Sequence, residues 1–334
     1  MIQEFKDKII LVTGGTGSIG SELVKKLLQF EPKNLRILSR GENKQYYLMD
    51  SLGYPKNLKL LIGDIRDKER VDLAMKDVDI VFHAAALKHV PLCEYNPYEA
   101  VKTNIIGAQN IIETALKNKV KKVIGISTDK AVNPVNIMGV SKLMMEKLFI
   151  NANISSSPDK TRFSCVRFGN VAWATGSVLP LWKKQADQNK TIKVTDNDMT
   201  RFLISKDQAI HLVLRAEQLA LGGEIFILKM PSIKLSDLAE LFIKKYYTND
   251  HIAIEIAGSR PGEKMHEELF NTYSESDGIV ENSEMFAVVR GSEVNMIYNI
   301  ERQKNCPQGF TPIQTIKGYS SKDAINKEKI YEII

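Results

Sequence analysis

Ile9-Ile10-Leu11-Val12-Thr13-Gly14-Gly15-Thr16-Gly17-Ser18-Ile19-Gly20 is the stretch on which the fold turns. Its first five residues form an apolar, largely β-branched run that reads as a buried strand. The glycines at 14, 17 and 20 then have separate duties. Gly14 allows the tight turn out of the strand, Gly17 lets the backbone approach a pyrophosphate, and Gly20 lets the next helix pack closely on the sheet. Thr16, Ser18 and Ile19 complete the loop, and residues 18–29 follow with helical spacing. The start of that helix offers unsatisfied N–H groups and a partial positive charge to phosphate. Strand, glycine loop and helix in this register predict a dinucleotide site.

The same alternation continues outward. Short β-branched runs at 35–39, 58–62, 79–83 and 122–127 predict strands, with amphipathic helices at 44–52, 68–75 and 97–117 between them. A helix at 137–151 precedes a sixth strand at 162–168. This pattern predicts an α/β fold: a Rossmann-type doubly wound parallel sheet with a smaller C-terminal substrate-binding lobe. Residues 1–170 are the expected nucleotide domain and 171–265 the substrate lobe. In that lobe, helices are expected at 178–188, 206–219 and 235–245, strands at 224–228 and 253–256, and a polar loop at 195–200. Some of these elements return to the first domain. Residues 266–334 read as an irregular extension, a packing or oligomer-contact arm.

Composition narrows the classes. With 43% hydrophobic and 26% charged residues, the 334-residue chain has the make-up of a globular enzyme rather than a disordered or fibrous protein. Its apolar runs are far shorter than the roughly 20 residues needed to cross a bilayer. The N-terminus lacks a signal core, so a cytoplasmic location without membrane contact is expected. A net charge of +6 spread over scattered lysines gives no concentrated nucleic-acid patch. Cys93, Cys165 and Cys306 form no CxxC pair, and the five histidines show no zinc spacing, so no metal is expected.

The second strand ends in Ser39-Arg40-Gly41-Glu42-Asn43-Lys44. A site built for NAD usually carries an acidic side chain here for the ribose 2′-hydroxyl. Ser39, Arg40 and Lys44 suit a 2′-phosphate instead, which favours NADP over NAD. Asp64 and Ile65 are placed for the adenine edge, and Ala84, Ala85 and Ala86 for a wall free of large side chains. Lys88 and Asn104 complete the expected cofactor contacts.

Seven motifs follow in order: TGGTGSIG at 13–20, HAAALKHVP at 83–91, STDKAVNP at 127–134, MGVSK at 138–142, RFGNV at 167–171, DMTRF at 198–202 and RPGEK at 260–264. Over about residues 5–270 the chain resembles the bacterial UDP-N-acetylglucosamine 4,6-dehydratases of the polysaccharide-biosynthesis type. These belong to the extended short-chain dehydrogenase/reductase superfamily. The resemblance implies a UDP-sugar substrate, a homo-oligomer (dimer or hexamer) and a reaction centred on Thr128, Asp129 and Lys130. An ordinary sugar epimerase has serine and small residues there.

One position departs from the superfamily pattern Tyr-x-x-x-Lys. Lys142 is present, but Met138 stands at the tyrosine position, and methionine cannot act as a base. Some members of the resembling group share this methionine.

The implied reaction oxidises the sugar at C4, removes a proton from C5, expels water from C6 and returns the hydride to C6. It needs a C5 base, here Lys130, and a C6 acid, here Asp129. Lys142 and the cofactor's charge are expected to keep Lys130 neutral. Asp129, through Thr128 or water, is also the candidate acceptor of the C4 hydroxyl proton, while Lys142 orients the ribose and nicotinamide. For the substrate, Lys88 and His89 are candidates for the sugar or phosphates, and Asn170 for a diphosphate oxygen or the N-acetyl group. Arg201 and Arg260 are candidate diphosphate clamps, and Glu263 a candidate acceptor of the uridine ribose hydroxyls. Two other readings stay open: a UDP-hexosamine 4- or 5-epimerase, and a non-catalytic NADP-binding subunit suggested by Met138.

Overall fold

The protein was analysed as a computed structural model that describes residues 2–155, 161–248, 250–271, 278–289, 306–313 and 318–334. After a short helix α1 (Ile2–Phe5), strands β1 (Ile9–Thr13), β2 (Asn34–Ser39), β3 (Leu58–Ile62), β4 (Ile80–His83), β5 (Lys122–Ile126) and β6 (Arg162–Arg167) run parallel. Their spatial order is β3-β2-β1-β4-β5-β6. The order reverses between β1 and β4, which opens a crevice at the carboxyl ends of these two strands. The sheet is the doubly wound arrangement that the alternating periods predict.

Helices α2 (Ser18–Leu28), α3 (Glu42–Ser51), α4 (Lys68–Met75), α5 (Val90–Tyr95), α6 (Pro97–Ala100), α7 (Gly107–Lys117) and α8 (Ile137–Ser155) connect the strands. The amphipathic stretch 97–117 is not a uniform α-helix. A π-helical segment, Val101–Ile106, separates α6 from α7. Such widened turns are rare and concentrate at functional sites. This one carries Thr103 and Asn104 beside the crevice.

After β6 come β7 (Asn170–Val171), α9 (Val178–Asn189), β8 (Thr191–Val194), β9 (Thr200–Ile204), α10 (Lys206–Leu219), β10 (Ile225–Leu228), β11 (Ser232–Lys234), α11 (Leu235–Tyr246) and β12 (Ala253–Ile256). Strand β10 returns to the main sheet beside β6, and α10 packs on α2, β5 and β6. A second core forms around Trp182, Ile192, Leu238, Phe242 and Ile330. Strand β9, entirely buried between β7 and β11, starts where the polar loop was expected to end.

Beyond His266 the chain is more regular than its sequence suggests. The segments are β13 (Glu268–Asn271), β14 (Gly278–Glu281), β15 (Met285–Val289), β16 (Thr311–Pro312), β17 (Gly318–Ser320) and α12 (Lys327–Ile333). Strand β15 adds antiparallel to β10, and β14 and β16 extend that edge. The expectation of an irregular extension is therefore corrected for these residues. The continuous apolar run Met285–Val289, buried at its first four positions, fills a place in the main sheet that only the folded chain reveals. Other parts of the predicted arm lie outside the described residues. Among the described residues, no helix is long and apolar enough to cross a membrane.

Candidate active site

The glycine loop is shaped by contacts that exclude side chains. Gly14 has φ +68°, and a Cβ there would lie 2.7 Å from the Ala85 backbone. At Gly20 a Cβ would collide with the Gly14 carbonyl. Helix α2 starts with Gly17 as its N-cap and no side-chain cap, so its first N–H groups stay open to a phosphate. The crevice is lined by Gly14, Thr16 and Gly17 at its base. Ser39, Arg40 and Lys44 lie along one rim, with Asp64, Ile65 and Ala84-Ala85-Ala86 on the walls. These are the residues singled out from the sequence. Gly41, Gly63 and Thr103 line it too and carry no signal in their local pattern.

Arg40 is more than half exposed, with Nη1 3.7 Å from Asp64 Oδ2. Burial works against the Asp64 carboxylate. Hydrogen bonds from Arg66 and the charges of Arg66 and Arg40 outweigh it and lower its pKa. Ser39 is buried, its hydroxyl accepting from Gln45 Nε2 at 2.9 Å. Ser18 Oγ accepts from the Thr175 N–H at 3.0 Å. Ile19 packs partly buried against the main core.

Asn104 does not present its amide to the crevice. It is 1% exposed. Its Oδ1 accepts from Leu87 N, and its Nδ2 donates to Leu87 O and Ser141 Oγ. The side chain holds the loop after β4 against α8. Lys88 Nζ donates to Thr175 O at 2.6 Å. With the Ser18 bond it ties the loop after β7 across the cleft. The His89 ring lies against Gly176, where a Cβ would come within 2.7 Å of it.

The second cluster sits where β5 ends. Thr128 Oγ1 donates to Asp129 Oδ1 at 2.8 Å, and Lys130 Nζ donates to the same oxygen at 3.0 Å. Asp129 is fully buried, and its Oδ2 has no hydrogen-bond partner among the described residues. Lys130 also lies 3.6 Å from Glu267 Oε1, and Arg201 Nε lies 4.0 Å from that oxygen. Sequence reasoning missed Glu267. It adjoins the RPGEK motif, but nothing in its neighbourhood announces that it meets residue 130.

The charge state of Lys130 overturns one expectation. Burial disfavours its ammonium, but Asp129 and then Glu267 more than compensate, and its pKa is raised. Lys142 does not keep it neutral. Lys142 is itself buried, and desolvation lowers its pKa to about 8. Its Nζ donates to the Ile126 carbonyl at 2.5 Å. Met138 is buried with Cys93 and Ala100 in a small apolar cluster. His83, also buried, shares a 2.8 Å hydrogen bond with Thr13, and desolvation followed by the charge of Lys142 lowers its pKa to about 3.

The expected substrate contacts divide. Arg201 is buried beside Glu267, its Nη1 donating to Thr200 O at 2.8 Å. Asn170 opens β7, which pairs with β9. Arg260 is exposed, and its N–H donates to Glu263 Oε2 at 3.3 Å, so Glu263 braces its own turn. Asn136 and Lys264 fasten that turn to the loop after β5, through Gly262 O at 2.9 Å and Val132 O at 2.6 Å. Among the described residues, no cluster of His, Cys, Asp and Glu could hold a metal ion.

Residues 10–289 match the family model described as polysaccharide biosynthesis protein. An uncharacterized membrane protein of Methanocaldococcus jannaschii is 51% identical over 99% of this chain and 96% of its own. A UDP-N-acetylglucosamine 4,6-dehydratase (inverting) of Campylobacter jejuni is 47% identical over 80% and 79%. A UDP-glucose 4-epimerase of Rickettsia bellii is 46% identical over the same shares. Among solved structures, Pen from Bacillus thuringiensis is 42% identical with a TM-score of 0.87, covering 99% of this chain and 97% of that one.

Proposed function

Because this chain belongs to the polysaccharide biosynthesis protein family of nucleotide-sugar dehydratases and epimerases, we propose that it removes water from UDP-N-acetylglucosamine, giving a UDP-4-keto-6-deoxy-N-acetylhexosamine. The observation that carries this reading is the meeting of Thr128, Asp129 and Lys130 with Glu267 at the end of β5. C4 oxidation alone requires neither a C5 base nor a C6 acid, whereas loss of water requires both.

The crevice suits NADP. The glycine cradle accommodates a pyrophosphate, and Arg40 with Lys44 at the rim suits a 2′-phosphate. A bound nicotinamide would supply reversible hydride transfer between C4 and C6. The protein moves the protons. Asp129 takes the C4 hydroxyl proton through Thr128 and gives it to the departing C6 oxygen, so the proton lost at C4 leaves in the water. Lys130, as the free amine, takes the C5 proton and returns it to C5. With Met138 unable to act as a base, the carboxylate takes over the duty of the missing phenol. Arg201 and Arg260 hold the diphosphate, while Asn170 and His89 face the sugar side. Self-association belongs to the same reading: Leu92, Tyr95, Tyr98, Val140 and Met144 expose apolar surface on α5, α6 and α8.

Mass spectrometry of UDP-N-acetylglucosamine incubated with the pure protein and NADP tests the proposal. The product is expected to be lighter by one water. An isomer of unchanged mass would indicate an epimerase, and absence of any product would leave a binding subunit. Cofactor choice has its own test. Arg40→Ala is expected to weaken NADP binding by about 10- to 100-fold and NAD binding by less than about 3-fold. Equal losses in calorimetric titrations would remove the basis for NADP.

A further inference from the structure

Lys130 rests as an ammonium and must lose a proton before it can take one from C5. Asp129 cannot store that proton, because it receives the one from the C4 hydroxyl. Glu267 is the second carboxylate within reach. It is 2% exposed, and its Oε1 is 3.6 Å from Lys130 Nζ. Its Oε2 is buried without a hydrogen-bond partner among the described residues. A buried carboxylate oxygen that receives no hydrogen bond carries a desolvation penalty, which protonation relieves.

The surroundings fix the residue in place. Its N–H donates to Ser321 Oγ at 2.9 Å, and Ser321 Oγ lies 2.7 Å from Thr200 Oγ1. The charged and titratable groups around it are Lys130 and Asp129 from the turn after β5, Arg201 from β9, and the neighbouring His266. The His266 ring is turned to Thr200, with Nδ1 2.8 Å from Oγ1. Arg201 Nε lies 4.0 Å from the same Oε1 that faces Lys130.

We infer that Glu267 is a positioning residue that stores the resting proton of Lys130 during the reaction. An N–H bond of the ammonium breaks and an O–H bond forms on Glu267, so an ion pair becomes a neutral amine beside a neutral acid. Net charge does not change. Sugar binding excludes water from the cleft, which penalises both ions and shifts the pair towards its neutral form. After C5 is reprotonated, the acid returns its proton to the amine. This role rests on the dehydratase reading.

The test is the pH dependence of kcat for water loss. In the native protein the transfer is internal, so kcat is expected to be flat from about pH 6 to about pH 7.5, below the titration of Lys142. In Glu267→Gln, Lys130 must release its proton to solvent. At neutral pH kcat is expected to fall by at least about 30-fold with KM changed less than about 3-fold, and log kcat to rise with pH at a slope of about 1. Glu267→Asp keeps a carboxylate and is expected to keep the flat profile at a lower rate. It also decides the matter if the glutamine variant does not fold, since a sloping aspartate profile would count against storage on this carboxylate. Calorimetric titration with UDP establishes that each variant is folded. A glutamine variant within 2-fold of native, or reduced equally at every pH, would overturn the inference and leave a packing role. If the native protein releases no water from the UDP-sugar, the dehydratase reading fails first, which is a separate result.

Discussion

Asp129→Asn is expected to halt turnover before C4 is oxidised, and Lys130→Ala to halt it immediately afterwards. Asp129 is fully buried and accepts from both Thr128 Oγ1 and Lys130 Nζ. An amide there cannot receive the C4 proton, so a single turnover should show no rise in the absorbance of reduced nicotinamide. Without Lys130, Asp129 and Thr128 still accept the C4 proton, but nothing removes the one on C5. Reduced cofactor should then accumulate while no water is lost. Each change is expected to lower kcat by about 100- to 10,000-fold, on the order of 3–5 kcal/mol of barrier. The double variant should be little worse than the slower single one, because the two groups serve one sequence of steps. Stopped-flow absorbance with mass spectrometry reads both stages. Undiminished water loss by either single variant would refute the assignment.

Glu146→Ala is expected to destabilise the fold by about 3–5 kcal/mol. Glu146 on α8 holds Arg167 at the end of β6 through two bonds, Nε to Oε1 at 2.8 Å and Nη2 to Oε2 at 2.7 Å. Both side chains are almost wholly buried. The alanine variant strips this bidentate carboxylate from a buried guanidinium, whose desolvation has already been incurred. Arg167 Nη1 also donates to the Leu269 carbonyl at 3.0 Å, two residues beyond Glu267. The variant should therefore lose activity before it unfolds, through displacement of Glu267. Urea denaturation at constant slope measures the first effect. A fall in stability below about 1 kcal/mol would show that the pair is dispensable. Replacing both residues with apolar ones of similar volume should recover stability but not activity.

The crevice was legible in the chain because its determinants are local. A strand, a glycine loop and a helix occupy adjacent residues, and the remaining crevice walls sit at the carboxyl ends of strands that periodicity locates. At Asn104 the pattern leaves two roles open, because a polar side chain facing a cofactor and one bracing a loop look alike in sequence. Its π-helical setting, Val101–Ile106, turns the amide onto Leu87 and Ser141. The cluster after β5 was only half readable. Thr128, Asp129 and Lys130 announce themselves as consecutive residues, but the contact with Glu267 does not.

From its sequence alone, this protein was determined to be a doubly wound α/β protein with a glycine-lined crevice and a Thr-Asp-Lys turn. Hydrophobic period and glycine placement act over a few residues, and they suffice for that. Only the tertiary structure decided that Asp129 and Glu267 together raise the pKa of Lys130, that Met285–Val289 joins the main sheet, and that Glu267 faces a lysine 137 positions away. Those outcomes depend on burial and Coulomb interactions between distant segments, which exist only once the chain has closed on itself.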